Sequence, residues 1–179
     1  EDVLLGYNNF NNYILDKSYL NCIVGRVCGR IDNAQFNLNN KKYELFSNDG
    51  QHHLHGGKEG FNKKIWHIKN LVQKKNIVKC NLIYQSSHLE EGYPGNLYCQ
   101  TSYTLTNNNE FIIEFSAESD EDTIINLTNH NYWNFHGHGS YYEKITNHFV
   151  KINAQLYCET DENLITTGKL LDVKKTKYN

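Results

Sequence analysis

The chain has 179 residues, 39% of them hydrophobic and 21% charged, and its 18 basic and 20 acidic side chains leave a formal net charge of -2. That length and apolar content suit one domain with a buried core and exclude a disordered chain. The near balance of charge offers nothing to nucleic acid or an anionic membrane, and no apolar run is long enough for a transmembrane helix.

At the start, Glu1-Asp2-Val3-Leu4-Leu5-Gly6 has no basic n-region and only a short apolar stretch, so no signal peptide is expected there. The asparagine-rich stretch at residues 8–12 reads as a polar loop. Residues 20–31 could hold one short helix, the exception in a chain with few helix signals. Phe36 and Leu38 alternate with polar residues, Asn39-Asn40 supplies a turn, and Tyr43 and Leu45 follow, which reads as a β-hairpin. Residues 76–85, rich in Ile, Val and Tyr, predict a strand. Gly92-Tyr93-Pro94-Gly95 holds the only proline and predicts a turn or loop. Strands over 96–106 and 110–118 flank Asn107-Asn108-Asn109, and asparagine tolerates left-handed backbone, so a second hairpin is expected. Residues 123–128 and 149–156 predict further strands. Short strands at regular spacing argue for an all-β fold, an antiparallel β-sandwich, in a single domain over residues 1–179. The chain has no Met and ends in Lys174-Lys175-Thr176-Lys177-Tyr178-Asn179 without a cap, which fits a section of a longer protein.

Five cysteines (Cys22, Cys28, Cys80, Cys99 and Cys158) with no C-x-x-C pair suggest free thiols in a reducing compartment, so a cytoplasmic location is expected. Asn126-Leu127-Thr128 matches a glycosylation acceptor, a match that is common by chance. Nine histidines fall mainly into two groups: Gln51-His52-His53-Leu54-His55-Gly56-Gly57, and Asn129-His130-Asn131-Tyr132-Trp133-Asn134 with His136 and His138 after it. The two-residue spacing of His53 and His55, and of His136 and His138, would put each pair on one face of a strand, as a metal site needs. No Cys or acidic residue stands at a supporting interval, and surface histidines are the plainer reading for His136 and His138. General acid–base chemistry is the other reading, since imidazole titrates near neutrality. Gly56-Gly57 would let a ligand come close to His55. Asn129, Asn131 and Asn134 could position hydroxyls, and Tyr132 or Trp133 could stack on a sugar's apolar face.

Several motifs in order resemble the aldose 1-epimerase family: Asp2-Val3-Leu4-Leu5-Gly6-Tyr7, Val24-Gly25-Arg26-Val27-Cys28-Gly29-Arg30-Ile31, His53-Leu54-His55-Gly56-Gly57, and Gly60-Phe61-Asn62-Lys63-Lys64-Ile65-Trp66. The resemblance continues through Glu91-Gly92-Tyr93-Pro94-Gly95-Asn96-Leu97, Asn126-Leu127-Thr128-Asn129-His130, and Asp161-Glu162-Asn163-Leu164-Ile165-Thr166-Thr167-Gly168. It implies a galactose-mutarotase-like sandwich, truncated at both ends, that interconverts α and β anomers of free hexoses such as D-galactose and D-glucose. It makes His130 the general acid to the ring oxygen and His55 the assisting residue. It places sugar binding on Gly29, Arg30, Asn131 and Tyr132, and makes Arg26 structural. Gly29 stands where the family has asparagine, a change that removes a hydrogen bond worth about 1 kcal/mol. The partner implied is a small-molecule aldohexose, with no metal or cofactor. The family's base is a glutamate in a C-terminal half that these residues do not reach, and Glu90 or Glu91 is not expected to replace it. The alternative is a mutarotase-like sugar-binding protein or inactive fragment without that base.

Overall fold

Strands dominate the computed structural model, which describes residues 2–139, 144–174 and 176–178. In chain order they are β1 (Ile23–Val24), β2 (Arg30–Ile31), β3 (Gln35–Leu38), β4 (Lys41–Glu44), β5 (His53–Leu54), β6 (His67–Lys74), β7 (Ile77–Ser86), β8 (Leu97–Thr106), β9 (Phe111–Ser119), β10 (Thr128–Asn129), β11 (Leu156–Thr160) and β12 (Thr166–Asp172). One helix of six residues, α1 (Phe10–Leu15), precedes them, and the Asn9 side chain caps it by accepting the Asn11 N–H at 2.8 Å. The sequence readings at Glu1, Lys175 and Asn179 lie outside the described residues.

Strands β6 to β9 form an antiparallel meander, and period-2 alternation sorts its faces. One face carries Lys79, Gln100, Ser102 and Glu114, joined by a Lys79–Glu114 ion pair and a Ser102–Glu114 hydrogen bond. The other carries Tyr84, Leu97, Cys99, Phe115 and Ala117, which close over Ile23, Phe61, Trp66 and Leu127 as the main core. That apolar face runs on through Ile68, Leu71, Val78 and Leu105, which stay exposed. A second core gathers Ala34, Leu45 and Tyr93, with Val27, Ile31, Phe36 and Ile124 against it.

Both expected hairpins form. Asn39 and Asn40 take φ of 52° and 61°, the paired positive values of a tight turn whose twist matches its strands, and Asn109 takes 60°. The strand expected over 76–85 is β7. The helix allowed within 20–31 is absent: Tyr19 and Asn21 have positive φ, and β1 and β2 are extended, so the only α-helix among the described residues lies upstream at α1. Residues 123–128 give only Thr128, the first residue of β10, and a bridge from Asn126 to Val27. The strand expected over 149–156 begins only at Leu156, and Phe149, Val150 and Ile152 are exposed. Apolar alternation there has no partner strand to pair with among the described residues.

The segment spanning β1 and β2 positions the candidate site. β1 pairs with β10, setting Ile23 against Asn129 and Val24 against Thr128, directly before His130. β2 pairs with β5, setting Arg30 against Leu54 and Ile31 against His53, directly before His55. One stretch of backbone therefore carries both histidine arms.

Candidate active site

His53 and His55 part company despite their spacing. β5 ends at Leu54 and His55 takes φ of 54°, so the two rings do not share a face. His53 is fully buried, with Nδ1 2.7 Å from the Phe46 carbonyl and Nε2 2.7 Å from the Tyr93 hydroxyl. A carbonyl only accepts, so Nδ1 bears the proton and Nε2 accepts from the tyrosine. Burial lowers its pKa, in keeping with a neutral structural ring.

His55 turns the other way, toward His130, and the ring centroids lie 5.4 Å apart at 83°. The Gly29 N–H donates to His55 Nδ1 at 3.1 Å, and the His55 N–H donates to the Gly29 carbonyl at 3.0 Å. Nδ1 is thus the unprotonated nitrogen, and a neutral His55 presents Nε2–H as a donor. Burial first, then the nearby His130 and Arg30, lower its pKa to about 4. The ring stays neutral at physiological pH.

The bend after His55 depends on Gly56, whose φ is 89°. A Cβ there would collide with the Gly25 carbonyl, so the loop passes against the Gly25 backbone only because position 56 has no side chain. Asn48 ties the same loop from outside: its Oδ1 accepts the Leu54 N–H at 2.7 Å, and its Nδ2 donates to the Leu54 and Gly57 carbonyls at 2.9 and 3.1 Å.

On the other arm, the His130 N–H donates to the Cys22 carbonyl at 2.9 Å and the Asn21 N–H donates to the His130 carbonyl at 3.1 Å. Tyr132 stacks on His130 with centroids 5.1 Å apart and donates its hydroxyl to the Ser18 carbonyl. Asn131 is half-buried beside them. Asn129 donates its Nδ2 to the Tyr103 hydroxyl and Asn134 accepts the His136 N–H with its Oδ1. Trp133 turns to Phe111 and Phe135, away from a sugar-stacking role. His136 packs edge-on against His148. Among the described residues no three His, Cys, Asp or Glu side chains gather as a metal-binding group.

The two arginines of the Val24 to Ile31 motif divide cleanly. Arg26 is 2% exposed and makes six hydrogen bonds, to the Ser86 and Thr123 hydroxyls and to the Ser86, Ser87, Pro94 and Gly95 carbonyls. Arg30 is partly exposed and ion-paired to Asp49 at 2.7 Å. Arg30, Asp49 and His52 line an open groove of about 530 Å³ whose far wall is Glu162, Asn163 and Leu164 at the turn between β11 and β12. Gly29 has φ of 88° and open space where a Cβ would point. Asp49, Asn48 and Tyr19 belong to this neighbourhood and went unmarked in the sequence. The only signal available for Asp49 was its place three residues before His52, the first of the histidines.

Neither Glu90 nor Glu91 is free. The Glu90 carboxylate accepts from the Tyr84 and Ser86 hydroxyls and pairs with Lys64 at 3.0 Å. The Glu91 carboxylate accepts the Lys58 and Glu59 N–H groups. Burial pushes the Cys22 and Cys99 thiols up to about 12, so neither is a ready nucleophile.

The profile of the aldose 1-epimerase family matches residues 1–179. The chain is 39% identical over 183 residues to an aldose 1-epimerase of Haemophilus influenzae, covering 99% of this chain and 50% of that protein. It is 38% identical over 178 residues to a galactose mutarotase of Bos taurus, again over 99% of this chain and 50% of the other. An aldose epimerase homologue of C. elegans superposes with a TM-score of 0.83 at 29% identity, over 98% of this chain and 52% of that one. The chain spans about half the length of the curated relatives it matches.

Proposed function

Because the chain belongs to the aldose 1-epimerase family, we propose that the protein carrying it interconverts the α and β anomers of free aldohexoses, D-galactose and D-glucose among them. The facing of His55 and His130, 5.4 Å apart on arms held by one backbone segment, carries this reading. A carboxylate takes the proton of the anomeric hydroxyl, the C1–O5 bond breaks as the C1 carbonyl forms, and His130 gives its proton to O5. The open aldehyde rotates about C1–C2, and closure on its other face returns both protons. His55 assists through Nε2–H, which its bond from the Gly29 N–H leaves free to donate to a sugar oxygen. Arg30, held by Asp49, donates to hydroxyls, Asn131 lies beside the acid, and Tyr132 supports the His130 ring. No step passes through a metal or cofactor.

Asp49, Glu90 and Glu91 are each engaged in the interactions described above, and the reading takes the base from the family resemblance, as a glutamate outside these 179 residues. The same reading treats the chain as part of one mutarotase-like sandwich domain acting in the cytoplasm. A non-catalytic sugar-binding protein is the second reading, favoured by Gly29, which lacks a side chain to bond the sugar. Polarimetry on freshly dissolved α-D-galactose separates the two. The full-length protein is expected to speed the approach to anomeric equilibrium in proportion to its concentration, whereas sugar binding at the buffer rate of mutarotation would leave only the second.

A further inference from the structure

Tyr19 has no assigned part in the chemistry above, yet its ring completes a triangle with the two histidines. Its centroid lies 4.7 Å from His55, edge to face, and 6.1 Å from His130, close to parallel. The backbone at Tyr19 is left-handed, with φ of 55°, which a bulky side chain keeps only where its surroundings hold it. Those surroundings are specific. The Asp16 carboxylate accepts the Ser18 and Leu20 N–H groups, the Tyr132 hydroxyl bonds the Ser18 carbonyl, and the Asn21 N–H bonds the His130 carbonyl. The Tyr19 ring itself packs edge-on to His55, at the loop that Asn48 ties. A single side chain therefore reaches from the His130 arm to the His55 loop.

We propose that Tyr19 is a positioning residue of this site, fixing the spacing and edge-to-face angle of His55 and His130 and keeping water from both rings. An imidazole's terminal torsion is broad; the Gly29 N–H restrains His55 and the Tyr132 stack restrains His130, and Tyr19, which lies against both, fixes one ring relative to the other. The kinetic part of this inference rests on the mutarotase reading; the geometric part does not. The charged and titratable groups facing His55 are His130, Arg30, Asp49 and Tyr19 itself, so admitting water at Tyr19 relaxes the burial that keeps His55 neutral.

The test compares Tyr19→Leu and Tyr19→Phe in the full-length protein, by anomer exchange kinetics and by NMR titration of the histidine rings. Tyr19→Leu is expected to lower kcat roughly 10–100-fold with KM changed less than about threefold. It should also raise the His55 titration midpoint by about one pH unit or more. Tyr19→Phe, which keeps the ring, should restore both. An unchanged His55 titration in Tyr19→Leu overturns the inference. So does a Tyr19→Phe protein as impaired as Tyr19→Leu. If His130→Ala leaves the exchange rate unchanged, the mutarotase reading fails by itself, and the His55 titration alone decides the role of Tyr19.

Discussion

Arg26→Met should unfold much of this protein's margin of stability, while Arg30→Met, four residues along the same motif, should leave it nearly intact. The Arg26 guanidinium is buried and supplies the Ser86, Ser87, Pro94 and Gly95 carbonyls together with two hydroxyls. Methionine fills similar volume but donates nothing, so these acceptors stay buried without partners. At about 1 kcal/mol or more for each unsatisfied carbonyl, the loss comes to roughly 4 kcal/mol. A domain of ordinary stability has only about 5–15 kcal/mol in total. Arg30 has a side chain 25% exposed and a partner, Asp49, that is 37% exposed. Such a pair contributes about 0–1 kcal/mol. Its substitution is expected to weaken sugar binding instead. Urea denaturation followed by circular dichroism, beside sugar titration, reads both. A loss below about 1 kcal/mol for Arg26→Met, or equal losses for the two variants, would refute the division of roles.

The remaining expectations concern the histidine arms. Gly56→Ala should destabilise the protein by about 2–3 kcal/mol in a thermal or urea melt, because position 56 combines a φ of 89° with a collision against the Gly25 carbonyl. Gly29→Asn has open space for its side chain but a φ of 88°, so it should cost the fold about 1 kcal/mol in a melt and tighten sugar binding about fivefold, the equivalent of about 1 kcal/mol, in a titration. His55 has a folded pKa near 4, below its ordinary 6.5, so the unfolded chain binds its proton first as pH falls. The stability that neutral His55 contributes is present above about pH 6.5 and is lost as the pH falls toward 4. His55→Gln should flatten the wild-type loss of stability over that window, as measured by melts at stepped pH; an unchanged slope would contradict the burial of the ring.

The features legible in the sequence were those with local causes. Asn39-Asn40 and Asn107-Asn108-Asn109 mark their hairpins because asparagine accepts left-handed backbone where a tight turn needs it. β7 and β8 announce themselves by β-branched and aromatic content. β1, β2, β5 and β10 have two residues each, too few for any periodic pattern, and exist only because distant segments pair. β6 was hidden by its lysines and by a bulge between Ile68 and Asn70 that breaks its alternation. The opposite error occurred at residues 149–156, where alternation suggested a strand that finds no partner among the described residues until Leu156 pairs with Asp172. At the site, residue types marked His55 and His130 among nine histidines, and the family motifs gave the two separate roles and added Arg30. The divergence of His53 from His55 was not legible, since equal spacing predicts a shared face only while the strand continues. Nor were the Arg30–Asp49 pair and the Tyr19 triangle, which are products of tertiary contact.

In the proposed ring opening His130 supplies the proton to the ring oxygen, so the rate of anomer exchange in the full-length protein, with and without His130, is the decisive measurement. With α-D-galactose as substrate, His130→Ala is expected to fall at least about 100-fold below the wild type, while His136→Ala, altered outside the pair, keeps the wild-type rate. Equal rates for His130→Ala and the wild type would contradict the account.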